Sequence, residues 1–234
     1  MVEFRMLQGS SFLDWDGMIS AVAWVPRCNL KCSFCQNGKL ISKPEEFPVI
    51  AEEQIIALFA EHGDYLDGLC VTGGEPTTYS GIPAFLERIK PACKRIKLDT
   101  NGTNPAMLRE ILASKLVDYV AMDVKAPLDE RYERAVGCKI DVEKVRESIR
   151  LIMKMAPGYE FRTTVVPTLV SKREIPEMGK AIEGAGKWAL QQYAPRDAWQ
   201  PEMRLVKPYQ RETVMEMAQI AQGYVKEVVV RGSF

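Results

Sequence analysis

The chain has 234 residues, of which 47% are apolar, and its 31 Lys and Arg residues equal its 31 Asp and Glu residues in number. This size suits one large domain or two small ones, and the balanced charge gives no reason to expect nucleic acid or a membrane as a partner. Because no apolar run is long enough to span a bilayer and the first residues lack the order of a signal peptide, we expect a cytoplasmic protein.

Short apolar segments alternate with segments of helical spacing along the chain. The apolar segments predict strands at residues 19–25, 68–72, 95–98, 119–124, 159–166, 188–193 and 227–230. The segments between them predict amphipathic helices at residues 51–62, 80–92, 104–114, 142–155, 174–184 and 211–224. Repeated alternation favours parallel strands with right-handed crossovers. We therefore predict an α/β fold, an open or partial barrel of about six units whose sites lie at the carboxyl ends of the strands.

Three of the six cysteines, Cys28, Cys32 and Cys35, follow the first predicted strand within eight residues. Clustered thiols in a reducing compartment are typical of metal ligands. A cubane iron–sulfur cluster takes four protein ligands when complete, so three cysteines leave one iron open for substrate chemistry. Structural zinc is the alternative, but it needs four Cys or His ligands, and the only histidine, His62, is distant in sequence. We interpret the remaining cysteines as buried apolar residues: Cys70, Cys93 and Cys138.

The CxxxCxxC spacing, with Phe34 before the last cysteine, resembles the signature of the radical S-adenosyl-L-methionine (SAM) superfamily. The resemblance implies a partial (β/α)6 barrel with one [4Fe–4S] cluster on Cys28, Cys32 and Cys35. It also implies SAM on the open iron and Phe34 against its adenine. The expected activity is reductive cleavage of SAM to methionine and a 5′-deoxyadenosyl radical, which takes a hydrogen atom from a substrate.

The second predicted strand ends in the sequence TGGEP, from Thr72 to Pro76. Gly73 and Gly74 would let a ligand approach the backbone closely because they have no Cβ, and Glu75 offers an acceptor for a cation. An ordinary strand-to-helix turn would also explain this sequence. By resemblance it is the GGEP motif of the superfamily, which binds the ammonium group of SAM.

The third predicted strand ends in Asp99, Thr100 and Asn101, which could simply cap the following helix. On the fourth, Asp123 and Lys125 face the same side, and burying such charges is costly, which indicates a function. Both segments resemble glycyl-radical-enzyme activases. The resemblance implies contacts with SAM and a monovalent cation held by Asp99, Thr100 and Asp123.

On the fifth predicted strand, Arg162 could either reach the SAM carboxylate or form a plain salt bridge. On the sixth, Ala194 stands where pyruvate formate-lyase activases have a histidine. The SAM ribose contact must then come from elsewhere, and Gln191 and Gln192 are the candidates. Gln36 follows the last cluster cysteine, where many activases have histidine, and completes the predicted SAM-binding set.

Taken together, the motifs most resemble the anaerobic ribonucleoside-triphosphate reductase activating proteins, over most of residues 9–232. The resemblance implies a glycyl radical enzyme as partner and a flavodoxin or ferredoxin as electron donor. One alternative is a radical SAM enzyme acting on a small molecule or peptide, such as a 7-carboxy-7-deazaguanine synthase, although no purine pocket or magnesium site is recognisable. Another is a non-enzymatic iron–sulfur electron carrier, which would not need a polar SAM pocket. We predict a single domain over residues 1–234, with a core at about 18–195 and a helix–strand extension at 196–234.

Overall fold

The computed structural model describes residues 2–234, and its strands form one sheet in sequence order. The strands are β1 (Met6–Ser11), β2 (Ser20–Val25), β3 (Gly68–Gly73), β4 (Ile96–Thr100), β5 (Tyr119–Asp123), β6 (Tyr159–Val165), β7 (Lys187–Gln192) and β8 (Glu227–Arg231). β1 pairs antiparallel with β2, and every later pair is parallel. Since β1 and β8 are the two edges of the sheet, the predicted partial barrel is confirmed as an unclosed one.

Helices connect each strand to the next parallel one. They are α1 (Gly38–Ser42), α2 (Glu52–His62), α3 (Ile82–Ile89), α4 (Pro105–Ala113), α5 (Glu130–Val136), α6 (Val142–Met155), α7 (Glu174–Ala181) and α8 (Arg211–Ala221). All six predicted helices are present, most with shorter ends. None of the helices in residues 2–234 is long and apolar enough to cross a membrane.

The longest helix, α6, illustrates how the crossovers pack on the sheet. Asp141 caps its first turn by accepting a hydrogen bond from the Glu143 amide at 3.1 Å. Its apolar side chains recur every three or four residues, and Val145, Ile149 and Ile152 are buried. Burying a side chain of this size stabilises the fold by roughly 1.5–3 kcal/mol, so the apolar stripe holds α6 in place.

Two elements near the site, α1 and α5, and the edge strand β1 were not predicted. β1 is largely exposed, so its sequence lacks the continuous apolar pattern of a central strand. α5 has only seven residues, too few for a periodic stripe. Its capping residues were nevertheless visible in the sequence, since Asp129 accepts from the Arg131 amide at 2.9 Å and Gly137 ends the helix at φ 71°.

The segment after β7 packs against the loop that carries the clustered cysteines. The Gln200 amide donates to the Ser33 carbonyl at 3.0 Å. Trp199 lies against α1 so closely that a Cβ added to Gly38 would come within 2.5 Å of its ring. α8 and β8 then add one more parallel unit to the same sheet. The division into a core and an extension stays a prediction.

Candidate active site

A cavity of about 970 Å³ lies at the carboxyl ends of the strands, where barrels of this kind hold their sites. Every residue assigned to the site from the sequence lines it: Cys28, Cys32, Phe34, Cys35, Gln36, Gly73, Gly74, Glu75, Asp99, Thr100, Asn101, Asp123, Lys125 and Arg162. The structure thus brings the predicted set together, while the role of each residue stays a prediction.

The cysteines lie on the loop between β2 and α1, which we call the cluster loop (residues 26–37). The Cys28 thiol accepts from the Leu30 amide at 3.4 Å and lies 3.7 Å from the Asn101 side-chain nitrogen. Burial raises the pKa of Cys28 to about 12, with Glu75 adding to the effect. Burial likewise raises the pKa of Cys32 to about 11, although Lys125 opposes it. The thiols therefore stay protonated at neutral pH unless a metal deprotonates them.

The residues that line the cavity fit an iron–sulfur cluster better than structural zinc. Three cysteines line it and no histidine does, which suits a cluster with one open iron and not a closed four-ligand zinc site. Tyr132 on α5 is fully buried behind this wall and does not line the cavity. Its pKa is raised by burial, and Lys125 and Cys32 are among the groups that act on it. Within residues 2–234, no three His, Cys, Asp or Glu side chains converge on a point that could hold a single metal ion.

The two glycines of the GGEP segment are required by the packing of the chain itself. A Cβ on Gly73, which has φ 122°, would lie 2.3 Å from the Val25 carbonyl oxygen. On Gly74 it would lie 1.6 Å from the Arg27 carbonyl oxygen. The sequence had suggested close approach of a ligand. What approaches in the structure is the backbone at the end of β2 and the start of the cluster loop, so the glycines seat this segment against the end of β3.

Glu75 joins the ends of β3 and β4. Its buried carboxylate accepts from the Thr77 hydroxyl at 2.5 Å, the Thr100 hydroxyl at 2.7 Å and the Asn101 amide at 2.6 Å. Burial raises the pKa of Glu75, and these hydrogen bonds counteract the rise. Since both carboxylate oxygens already have protein donors, Glu75 braces the cavity wall. The predicted contact with the ammonium group of SAM stays a prediction.

An ion-pair network forms the floor of the cavity. Arg162 bridges two carboxylates, with Nη1 at 3.0 Å from Asp99 Oδ2 and Nε at 2.9 Å from Asp123 Oδ1. Lys97 lies 3.1 Å from Asp99 Oδ1, and Lys125 lies 3.1 Å from Asp123 Oδ2. Lys97 lies behind this floor and does not line the cavity, so Lys125 and Arg162 are the two cations of the network that a ligand could meet. The salt-bridge role of Arg162 is observed, whereas its contact with SAM stays a prediction.

Both carboxylates in this network are ionised at neutral pH. Burial opposes ionisation, but Arg162 and Lys125 outweigh it and lower the pKa of Asp123 to about 2. In the same way Arg162 and Lys97 hold the pKa of Asp99 below its ordinary value against the effect of burial. Sequence reasoning missed Lys97, whose side chain is only 2% exposed. Lys97 stands two residues before Asp99 on β4, and a single lysine near the start of a strand gives no sign in the sequence that it is buried.

Cys138 corrects the interpretation that all three remaining cysteines are buried apolar residues. Cys70 and Cys93 are buried as expected, but Cys138 is only partly buried. Its sulfur lies 3.7 Å from the Asn29 carbonyl oxygen of the cluster loop. No signal in the sequence indicated this contact, because 109 residues separate the two positions and the intervening α5 was not predicted.

Comparison with known proteins identifies the family. The sequence profile of the Radical SAM superfamily matches residues 22–181. The chain belongs to the radical SAM superfamily. This radical SAM protein is 32% identical over 230 residues to a protein of Methanocaldococcus jannaschii that is provisionally named a glycyl-radical enzyme activating enzyme, and the match covers 94% of this chain and 92% of that protein.

Other proteins match a smaller part of the chain or share only the fold. A 7-carboxy-7-deazaguanine synthase of Neisseria meningitidis is 28% identical over 144 residues, covering 61% of this chain and 59% of that enzyme. The structure of TYW1 with a bound lysine–pyruvate adduct superposes with a TM-score of 0.63 at 15% identity, over 88% of this chain and 75% of TYW1. The identification as a radical SAM enzyme agrees with the expectation from the cysteine spacing.

Proposed function

We propose that this radical SAM enzyme cleaves SAM reductively and uses the resulting radical to form a glycyl radical on a partner enzyme. The observation that carries the proposal is that the three thiols and the Asp99–Arg162–Asp123 network line one cavity. A relative named as a glycyl-radical enzyme activating enzyme matches nearly the whole chain, which favours a polypeptide substrate.

Cys28, Cys32 and Cys35 would hold a [4Fe–4S] cluster, which when bound supplies the electron that cleaves SAM. The chain itself orients the substrate and excludes water. Phe34 is buried and its ring centroid lies 5.9 Å from the Lys125 ammonium, so it offers an apolar wall suited to an adenine ring.

The polar parts of SAM have matching groups on the cavity floor and rim. Lys125 and Arg162 line the floor, and either cation suits the SAM carboxylate. At the rim, the side-chain amide of Gln192 already donates a hydrogen bond to the Tyr209 carbonyl at 2.6 Å, so it is less suited to contact the ribose. Gln191 lines the same cavity, and we propose it for the ribose contact that histidine makes in some activases.

The monovalent cation at Asp99, Thr100 and Asp123 stays a prediction. Arg162 lies between the two carboxylates and contacts one oxygen of each, so a cation bound there would share these carboxylates with it. A flavodoxin or ferredoxin as electron donor is likewise part of the proposal.

A radical SAM enzyme acting on a small molecule is the second candidate. The similarity to a 7-carboxy-7-deazaguanine synthase favours it. That match leaves out more than a third of this chain, whereas the match to the activating enzyme includes almost all of it. We therefore prefer the activase.

The test is a two-stage anaerobic assay with reconstituted, dithionite-reduced enzyme. The first stage measures 5′-deoxyadenosine from SAM, which we expect from the wild type and not from Cys32→Ala, whose visible cluster absorption should also be lost. The second adds a purified candidate glycyl radical enzyme and records a glycyl radical by electron paramagnetic resonance. No 5′-deoxyadenosine from the wild type would contradict the enzyme proposal. Cleavage of SAM without a glycyl radical, together with turnover of a purine precursor, would favour the second candidate.

A further inference from the structure

The side chain of Asn101 lies between the end of β4 and the cluster loop. It lines the cavity, although the residue is only 5% exposed. Its nitrogen Nδ2 lies 3.0 Å from Asn29 Oδ1 and 3.7 Å from the Cys28 sulfur. A side-chain amide has two N–H groups, so one can donate to Asn29 and the other to the sulfur. Asn101 therefore offers a hydrogen-bond donor to a thiol that is expected to bind iron.

The orientation of this amide is determined by its other contacts. Asn101 Oδ1 accepts from the Thr103 backbone amide at 3.0 Å and from the Thr103 hydroxyl at 2.7 Å. Because a backbone N–H can only donate, turning the amide over would place its N–H groups against the N–H of Thr103. The Thr103 hydroxyl also accepts from Asn29 Nδ2 at 2.8 Å. The three side chains form a closed ring that holds the nitrogen of Asn101 on the side of the sulfur.

The thiol that receives this contact differs from the other two. The Cys28 sulfur accepts from the Leu30 backbone amide at 3.4 Å in addition to facing Asn101. Its remaining polar neighbour is Asn29 Oδ1 at 3.9 Å, which has no hydrogen to offer a thiolate. Within residues 2–234, no side-chain N–H lies within hydrogen-bond distance of the sulfurs of Cys32 and Cys35. Asn101 thus distinguishes one corner of the expected cluster from the others.

The surroundings of Cys28 otherwise oppose a negative charge on its sulfur. Burial raises the pKa of Cys28 to about 12, and the Glu75 carboxylate adds to the effect. Asn101 contacts both groups, since its backbone amide donates to Glu75 at 2.6 Å while its side-chain nitrogen faces the sulfur. Its side chain is therefore placed to offset a local excess of negative charge.

We propose that the Asn101 side-chain amide donates a hydrogen bond to the Cys28 thiolate of a bound cluster and raises the reduction potential of that cluster. The proposal rests on the proposed function, since it assumes a cluster on the three cysteines. Reduction adds one electron to the cluster and makes its sulfur ligands more negative. A hydrogen bond to such a sulfur stabilises the reduced state more than the oxidised one. Asn101 acts through its cysteine and is a positioning residue, which differs from the contact with SAM that the sequence predicted.

The test is an anaerobic redox titration of the reconstituted full-length enzyme without SAM, followed by the electron paramagnetic resonance signal of the reduced cluster. Asn101→Leu removes the amide at similar size. The control Thr103→Val breaks the same ring of side chains but leaves the N–H groups of Asn101 in place. In Asn101→Leu we expect the ratio of reduced to oxidised cluster to fall about tenfold at any fixed potential, which is a midpoint about 59 mV more negative for a one-electron couple. The control should stay near wild type.

The potential separates this role from a structural one, since loss of packing alone would affect both variants. An intact cluster with an unchanged potential in Asn101→Leu, or an equal shift in Thr103→Val, would overturn the proposal. Failure of the wild type to bind a cluster would instead count against the proposed function.

A second measurement needs no variant and applies even if Asn101→Leu binds no cluster. Wild-type protein is prepared with asparagine that carries nitrogen-15 in the side chain, and its reduced cluster is studied by pulsed electron paramagnetic resonance. We expect a weak magnetic coupling between the cluster and the labelled nitrogen, transmitted through the N–H···S contact. Absence of this coupling would overturn the proposal.

Discussion

Glu75 connects several elements of the site through hydrogen bonds to other residues of the protein. Its carboxylate holds Thr77 at the end of β3 and both Thr100 and Asn101 at the end of β4. Asn101 in turn lies within 3.7 Å of the Cys28 sulfur. The motif predicted to bind SAM thus connects the segment after β3, the end of β4 and the cluster loop.

Replacing Glu75 by Ala should weaken both the fold and SAM binding. Each buried donor left without an acceptor costs about 1–3 kcal/mol, so we expect a loss of a few kcal/mol in the free energy of unfolding, measured with urea. The affinity for SAM, measured on reconstituted protein, should fall as well, with the cluster absorption retained. Unchanged stability would contradict the bracing role, and unchanged SAM binding would remove Glu75 from the site.

Asp123 gives the cavity floor a predictable pH dependence. Its pKa falls from an ordinary 3.8 to about 2 in the folded protein. Its stabilising contribution is therefore fully present above about pH 4 and is lost as the pH falls toward the folded pKa. A shift of this size corresponds to about 2 kcal/mol. The stability difference between wild type and Asp123→Asn should thus be largest near neutral pH and shrink between pH 4 and pH 2. A difference that stays constant over this range would show that the ion pairs with Arg162 and Lys125 do not form.

At the scale of elements, the contact between α5 and the cluster loop was the least visible in the sequence. Asp129 and Gly137 mark the two ends of α5, but a helix of seven residues has no periodic stripe to recognise. Asn29 of the cluster loop and Cys138 just after α5 are 109 residues apart along the chain, so only the three-dimensional fold reveals that Cys138 contacts the cluster loop.

Gly137→Ala tests this contact, with Gly184→Ala as a matched control. Both glycines have positive φ, at 71° and 81°, so both substitutions introduce a strain of about 1–2 kcal/mol. Only the new Cβ at Gly137 meets backbone, because nothing lies within 4 Å at Gly184. We expect Gly137→Ala to lose more stability and to retain less iron per chain after reconstitution. Equal iron content in the two variants would show that α5 does not support the cluster loop.

At the scale of the whole molecule, hydrophobic periodicity was sufficient to predict the parallel core and the site at its carboxyl end. Alternating apolar strands and amphipathic helices determine the layers, and the spacing of Cys28, Cys32 and Cys35 identifies the family. Periodicity could not predict the exposed edge β1 or the ion pairs. Whether Arg162 contacts a ligand or two carboxylates depends on distances across β4, β5 and β6, which no local pattern encodes.

The open side of the barrel is bridged by charge rather than by strand pairing. Arg231 at the end of β8 pairs with Asp16 at 2.5 Å, from the loop before β2, and with Glu160 of β6 at 2.6 Å. Asp16 and Arg231 also line the cavity. The ion pair therefore connects the last strand to the loop between β1 and β2 beside the cavity.

The claim on which the rest depends is that three cysteines leave one iron open to SAM. Mössbauer spectroscopy tests it directly, on protein reconstituted anaerobically with isotopically enriched iron, before and after SAM is added. We predict that the spectrum of one iron of the [4Fe–4S] cluster changes on addition of SAM while the other three stay as they were. Four irons that do not respond to SAM, or a protein that binds zinc tightly and no cluster, would contradict the account.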